Sequence, residues 1–301
     1  VLPIADGTRR GYWIVNAYQD TNGILAFVHV EYPRNPTPTT YDTGKTRIGL
    51  AWSTDNGDHF TYLGDIISPY TDPATSNVQG SPYLIKDGYF YTYFNDDVCS
   101  PWESGNAVAR APVSDVIAAA RQGQVTPWKK YHNGGWESAG LGGNCSTIGA
   151  QGVTHSDAAF STYTGKYYMI TSRMNWGGQD TWIKLYESSD ALNWTFKRAI
   201  VQESAAAVQK GYQYSSIVNT DGADNGVVGK TFYVYSEKDA DSNVAVFFRW
   251  LVDLDGPGDS ASTVPPKTVY SLANDYSGVQ GANQWSYLYR TGAVDLPMNW
   301  G

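Results

Sequence analysis

The chain has 301 residues, a formal net charge of −8 at pH 7 and a sequence pI near 4.9. Nucleic acid and anionic membrane surfaces require a basic face, so this acidic balance excludes them and favours a neutral or weakly charged ligand. Only 17% of the residues are charged, whereas 23 Tyr, 11 Trp and 31 Gly fit many short strands joined by tight turns. No run of residues approaches the ~20 apolar positions of a membrane span. We therefore expect an all-β protein with one main domain.

Segments of alternating apolar and polar residues follow one another in groups of four, with a period of about 65 residues that suits propeller blades. The strands predicted for the first two groups are Gly11–Tyr18, Ile24–Glu31, Thr46–Trp52, Phe60–Ile66, Ser81–Ile85, Tyr89–Asn95, Ala107–Ala111 and Trp128–Tyr131. Those for the next two groups are Ser156–Phe160, Lys166–Ser172, Trp182–Ser188, Trp194–Val201, Tyr214–Asn219, Thr231–Ser236, Val244–Val252 and Lys267–Tyr270. The Ala-rich segment Val113–Arg121, with Ser114 as its cap, predicts one short inserted helix.

The C-terminal stretch does not continue this rhythm. Between Tyr276 and Tyr289 it resembles a Gln-Gly-x-Asn-x-Trp-x-Tyr signature found at the start of accessory β modules in carbohydrate-active proteins. The same stretch could instead complete a fifth blade. The sequence thus predicts a five-bladed β-propeller of four-stranded antiparallel blades over residues 1–270, with residues 271–301 closing the last blade or starting an accessory module. Neighbouring domains of a longer chain remain an option.

Two turns share a Ser-x-Asp pattern, at Ser53-Thr-Asp55 and at Ser188-Ser-Asp190. The Asp side chain bonds nearby backbone amides, and Gly57 in the first turn tolerates positive φ. The first turn resembles the Asp box of sialidase-like propellers, and the second resembles a shorter turn of family 43 propeller glycosidases. These motifs mark the turns between outer strands, so they indicate the fold and not the chemistry.

In an antiparallel meander, the starts of first strands and the ends of second strands lie on one face of the propeller. Propeller pockets usually lie where the innermost strands begin, so this face is the predicted functional face. The polar residues that the sequence places there are His29, Glu31, Asp96, Asp97, His155, Asp157, Arg173 and Glu237.

The segment His155-Ser-Asp157, followed by Gly165-Lys-Tyr-Tyr, resembles a family 43 pattern in which an Asp opens an inner strand before a hairpin. The third carboxylate of that family, a Glu in Glu-Gly-Pro, has no match, because the corresponding strand reads Gly211-Tyr-Gln-Tyr-Ser-Ser-Ile217. The chain is more similar to divergent five-bladed relatives, including propellers that cut arabinan-type polymers. This resemblance implies an exported glycoside hydrolase.

Glycoside hydrolysis needs one protonated carboxyl group and one ionised carboxylate. Asp157 and Glu31 are the predicted pair, with Asp97 or Glu237 as a replacement or pKa modulator. A separation of roughly 6.5–9.5 Å between the two carboxyl groups would indicate inversion, and about 5–5.5 Å would indicate retention. Each acid could also be a solvated charge at a loop end.

Sugar rings present apolar C–H faces that stack on aromatic side chains. The predicted substrate-binding residues are His29, His155, Arg173, Tyr214, Trp136 and Trp176, the two Trp being flanked by Gly and expected to be exposed. Many aromatic residues in a propeller pack between blades instead. The expected partner is a carbohydrate polymer or oligosaccharide.

Two other functions fit the sequence. A polysaccharide lyase would use His155 or Tyr214 for proton transfer and Arg173 to neutralise a uronate, and a non-catalytic carbohydrate-binding propeller would need no acid pair.

No zinc spacing occurs and no cofactor is required, although calcium on the propeller axis is an option. Cys99 and Cys145 form one disulfide or remain two thiols. The protein is expected to be secreted or at the cell surface.

Overall fold

The computed structural model describes residues 11–33, 43–71, 77–101, 105–152, 156–174, 178–204, 211–221, 226–240, 244–256, 268–270, 288–291 and 294–297. Within them, antiparallel sheets form four successive blades. The first blade contains β1 (Gly11–Asp20), β2 (Gly23–Pro33), β3 (Thr43–Ser53) and β4 (Thr61–Ile67). The second contains β5 (Val78–Lys86), β6 (Tyr89–Asp96), β7 (Ala107–Pro112), β8 (Lys129–His132) and β9 (Gly135–Ala139), with the helix α1 (Val113–Ala120) after β7.

The last two blades follow the same plan. The third contains β10 (Asp157–Ser161), β11 (Lys166–Arg173), β12 (Thr181–Ser188) and β13 (Thr195–Glu203), and the fourth begins with β14 (Gly211–Asn219). The short strand β15 (Val227–Val228) pairs in parallel with β10, so it ties the two blades together. The fourth blade continues with β16 (Thr231–Ala240), β17 (Val244–Asp253) and β18 (Thr268–Tyr270), and a separate hairpin contains β19 (Leu288–Thr291) and β20 (Val294–Pro297).

The first strand of each blade is its innermost strand. Along the chain β1 packs against β5, β5 against β10, and β10 against β14. Apolar residues of neighbouring blades interdigitate between them, and Phe27 of the first blade stacks on Tyr83 of the second with ring centroids 4.9 Å apart. The structure is therefore an all-β propeller whose core lies between successive blades.

The strand predictions are confirmed to within a few residues at most ends, although β9 and β15 were not predicted. The helix is confirmed, but the assignment of Ser114 as its cap is wrong. The helix begins at Val113 after Pro112, so the Ser114 hydroxyl lies inside the first turn and bonds Asp115 Oδ1 at 3.1 Å. Four blades are described where the sequence predicts five, and most of residues 271–301 lie outside the described part.

A disulfide joins Cys99 to Cys145, with Cα atoms 5.5 Å apart, so the alternative of two thiols is wrong. Beside it lies the fully buried Lys130, whose Nζ donates to Ser68 O and to Gly143 O at 2.7 Å each. Burial lowers the pKa of Lys130 to about 8, and the nearby Asp96 carboxylate opposes that shift. These links fix the loops at one edge of the second blade.

Among the described residues, no helix is long and apolar enough to cross a membrane.

Candidate functional site

A cavity of about 880 Å³ opens on the predicted functional face, lined by residues of the first, third and fourth blades. Its walls come from residues 13–17 of β1, from His29 and Glu31 of β2, from Ser156 and Asp157 at the start of β10, and from residues 214–216 of β14. The two acids that the sequence paired therefore line one cavity, although they are 126 positions apart in the chain.

Irregularities in two inner strands shape this cavity. The register of β1 against β2 shifts between Ile14 and Asn16, and the register of β14 against β16 shifts between Gln213 and Ser216. Tyr214, within the second irregularity, has a φ of 52°, which is rare for a residue with a large side chain. Such bulges redirect side chains and occur often beside functional sites.

Asp157 is buried in the wall of the cavity, with only 7% of its surface exposed. Its Oδ2 accepts a hydrogen bond from Ile217 N at 2.7 Å, and its Oδ1 accepts one from Ala158 N at 2.8 Å. Asn16 Nδ2 lies 3.4 Å from the same Oδ1. Three N–H donors from three blades thus converge on one carboxylate, an arrangement that favours its ionised form.

Glu31 and His29 lie two residues apart on β2 and so face the same side of the strand. His29 Nε2 is 3.9 Å from Glu31 Oε1. Burial lowers the pKa of His29 to about 4, so the imidazole is neutral at pH 7. A neutral imidazole has one donor and one acceptor nitrogen, which suits a sugar hydroxyl. Gly11 pairs with Glu31 across the two strands, and a Cβ at this position would lie 3.1 Å from Trp13 Nε1 and in ordinary contact, at 3.5 Å, with Glu31 Oε2.

Aromatic rings add apolar surface to the cavity. Tyr214 is 53% exposed and Trp13 is 44% exposed. Tyr214 comes from β14 and Trp13 from β1, and both line the cavity. A sugar ring could stack on either one.

Of the other predicted residues, Asp97, Glu237, Arg173 and Trp136 do not line the cavity. Asp97 accepts a hydrogen bond from Asn77 N at 2.9 Å, and Glu237 accepts one from Gln213 Nε2 at 3.3 Å. Arg173 is the last residue of β11, and the sequence analysis places the end of this strand on the functional face. His155 and Trp176 lie outside the described residues.

Trp136, the fourth of these residues, lies on β9 and is half-buried instead of exposed. Its ring packs against Tyr91 and Tyr131, and the Arg110 guanidinium lies 4.2 Å from its centroid. This packing places Trp136 in the second blade, away from the acids.

Sequence reasoning missed Asn16, Ser215 and Ser216. A signal existed, since Asn is depleted in strands and two adjacent Ser interrupt β14. Their place in the cavity wall depends on bulges that no local pattern predicts.

One group of side chains that could hold a metal ion occurs among the described residues. The clustered side chains of suitable type are Asp96, Cys99 and Cys145, and the two sulfurs are joined in the disulfide. Calcium on the axis stays a prediction.

No model of a known protein family and no curated protein matches the chain. Among solved structures, a protein of unknown function from Dyadobacter fermentans is similar with a TM-score of 0.51 and 12% identity, over 85% of this chain and 69% of that one. Fructan 1-exohydrolase IIa from Cichorium intybus follows with a TM-score of 0.49 and 15% identity, over 82% of this chain and 45% of that one. A GH43_12 protein from a capybara gut metagenome has a TM-score of 0.45 and 13% identity, over 83% and 41%.

The chain thus spans less than half the length of the fructan exohydrolase. At these identities the likeness concerns the fold alone. Glycoside hydrolases with propeller folds are among the structural neighbours.

Proposed function

We propose that this protein is a glycoside hydrolase that cleaves a neutral polysaccharide or oligosaccharide, with Glu31 and Asp157 as its two carboxyl groups. One observation carries the proposal: these two acids, brought from different blades, line a single cavity together with the exposed ring of Tyr214. Glycoside hydrolysis requires this combination of two carboxyl groups and a surface that binds a sugar.

The surroundings of the two acids suggest different roles. The N–H donors around Asp157 stabilise its ionised form, which suits a base or a nucleophile. Glu31, beside the neutral ring of His29, is then the general acid that protonates the leaving oxygen. His29 would bond a substrate hydroxyl, and Tyr214 would stack on a sugar ring.

The remaining predicted residues would act at the rim of the same face. We assign Asp97 and Glu237 to modulation of the local charge, and Arg173, His155 and Trp176 to contacts with more distant parts of the substrate. Trp136 would contribute only through a surface of the second blade, since its ring is packed there.

The composition of the cavity favours a hydrolase over a lyase. A lyase must neutralise a uronate carboxylate with an Arg, a Lys or a metal ion. Among the described residues that line the cavity there is no Arg or Lys, and Glu31 and Asp157 would repel a negatively charged sugar. A non-catalytic carbohydrate-binding propeller would have the same cavity but would show no turnover, with or without the two acids.

A fifth blade is part of the proposal. The inner strands of successive blades pack against each other, as β1 does with β5, β5 with β10, and β10 with β14. In the described residues, the contact between β14 and β1 is less extensive. A further blade between the fourth and the first would complete this series of contacts. We propose that residues 271–301 contribute to it or begin an accessory module.

The Cys99–Cys145 disulfide supports export, because disulfides persist in oxidising compartments. Secretion or display at the cell surface, neighbouring domains in a longer chain and an axial calcium ion complete the proposal.

The test is a screen of the purified protein against neutral and acidic polysaccharides, with assays for reducing ends and for the ultraviolet absorbance of unsaturated uronides. We expect reducing ends without that absorbance. Glu31→Gln and Asp157→Asn should each lower kcat by about a thousand-fold or more, since each removes a carboxyl group that takes part in the reaction.

Glu137→Gln is the matched control, because Glu137 is an exposed acid on β9. It should retain wild-type turnover. Full activity in either Glu31→Gln or Asp157→Asn would overturn the assignment of the pair, and an unsaturated product would establish a lyase instead.

A further inference from the structure

The side chain of Asn16 reaches Asp157 from a different blade. Its Nδ2 lies 3.4 Å from Asp157 Oδ1, across 141 positions of the chain. The contact is possible because the register of β1 shifts between Ile14 and Asn16, which changes the direction of the Asn16 side chain.

The orientation of the Asn16 amide is fixed by a second contact. Its Oδ1 accepts a hydrogen bond from Ala17 N at 2.8 Å. A backbone N–H can only donate, so the carbonyl oxygen must face Ala17 and the NH₂ group must face Asp157. Asn16 is therefore a donor to the carboxylate.

We propose that Asn16 is a positioning residue that holds the Asp157 carboxylate in place and keeps it ionised for the reaction. This inference rests on the proposed function of the site. The other two donors, Ile217 N and Ala158 N, are backbone groups that a side-chain substitution does not remove. Asn16, by contrast, donates through its side chain, which mutation can alter directly.

Other titratable groups also face the cavity. They are Glu31 and His29 on β2 and Tyr214 on β14, and no titratable residue of β1 lines it within the described part. Burial lowers the pKa of His29 to about 4, so the imidazole is neutral at pH 7 but takes up a proton in the acid range in which carboxyl groups are followed. Titrations should therefore be repeated in His29→Gln and Glu31→Gln backgrounds.

The test uses Asn16→Asp, which has nearly the same shape and keeps an acceptor for Ala17 N but replaces the donor with a negative group. Asn16→Ala removes the donor without adding charge. The readout is the titration of the Asp157 carboxyl carbon by ¹³C NMR, assigned by the signal that disappears in Asp157→Asn.

We expect Asn16→Asp to raise the titration midpoint of Asp157 by about one pH unit or more, and Asn16→Ala to raise it by less. On a substrate found in the screen, kcat should fall about tenfold at neutral pH with KM nearly unchanged, and the acidic limb of the pH profile should move to higher pH.

Asn22→Asp is the matched control, since Asn22 is an exposed Asn in the turn after β1. It adds the same charge and should leave the titration of Asp157 unchanged. An unchanged midpoint in both Asn16 variants, each with a wild-type melting temperature, would overturn the inference. A shifted midpoint in a protein that cleaves no carbohydrate would retain the positioning role and reject the proposed function.

Discussion

His29 links the candidate site to the stability of the fold. Burial lowers its pKa from the ordinary 6.5 to about 4, because the folded protein disfavours the imidazolium ion. The unfolded chain therefore binds a proton between about pH 6.5 and pH 4 that the folded chain does not. Stability from this group is complete above the unfolded pKa and is lost progressively as the pH falls towards 4.

We predict that His29→Gln removes much of this acid sensitivity. Chemical denaturation of the wild type should show a decrease of on the order of 2–3 kcal/mol between pH 7 and pH 4 from this group, and the variant should lack it. His132→Gln, on β8, serves as the control. An equal pH dependence in wild type and His29→Gln would contradict the prediction.

The residues that line the cavity could be predicted from the sequence only in part. His29, Glu31 and Asp157 were predicted because antiparallel order alone places strand starts and ends on one face. Asn16 was not predicted, since its direction depends on a bulge and its partner is 141 positions away. Asp97 and Glu237 reach that face too, but lie outside the cavity walls.

The Ser-x-Asp turns act at the scale of single elements. In the turn between β12 and β13, Asp190 Oδ1 accepts hydrogen bonds from Leu192 N at 2.9 Å and from Asn193 N at 2.7 Å. Partial burial would raise the pKa of Asp190, but these bonds outweigh it and lower the pKa to about 2. The stabilisation is present above the unfolded pKa near 3.8 and is lost as the pH falls through about 2.

We predict that Asp190→Ala lowers the free energy of unfolding by on the order of 1 kcal/mol at pH 7, after allowance for solvent screening, and by much less near pH 2. Denaturant titrations at the two pH values measure this difference. Asp58→Ala, in the turn between β3 and β4, should change stability little. A loss for Asp190→Ala that is the same at both pH values would exclude the charge as its cause.

The disulfide acts on the molecule as a whole. It closes a loop of 46 residues between the end of the second blade's β6 and the segment before the third blade. Closing a loop of that size restricts the unfolded chain and is worth about 3–4 kcal/mol. We predict that the double variant Cys99→Ser, Cys145→Ser has a clearly lower melting temperature than the oxidised wild type.

Reduction of the wild type should lower its melting temperature to a similar degree, whereas the double variant should not respond to a reductant. If the reduced and oxidised wild types melt together, the cross-link contributes nothing to stability.

The sequence by itself determined the strand pattern, the grouping of strands into blades and the face to which charged strand ends point. These follow from periods of two residues and from tight turns, which are local properties of the chain. Tertiary structure alone decided which of the polar residues share a cavity, because that depends on how blades pack and where their inner strands bulge. It brought Asn16, Glu31 and Asp157 together from two blades and left Asp97 and Glu237 outside.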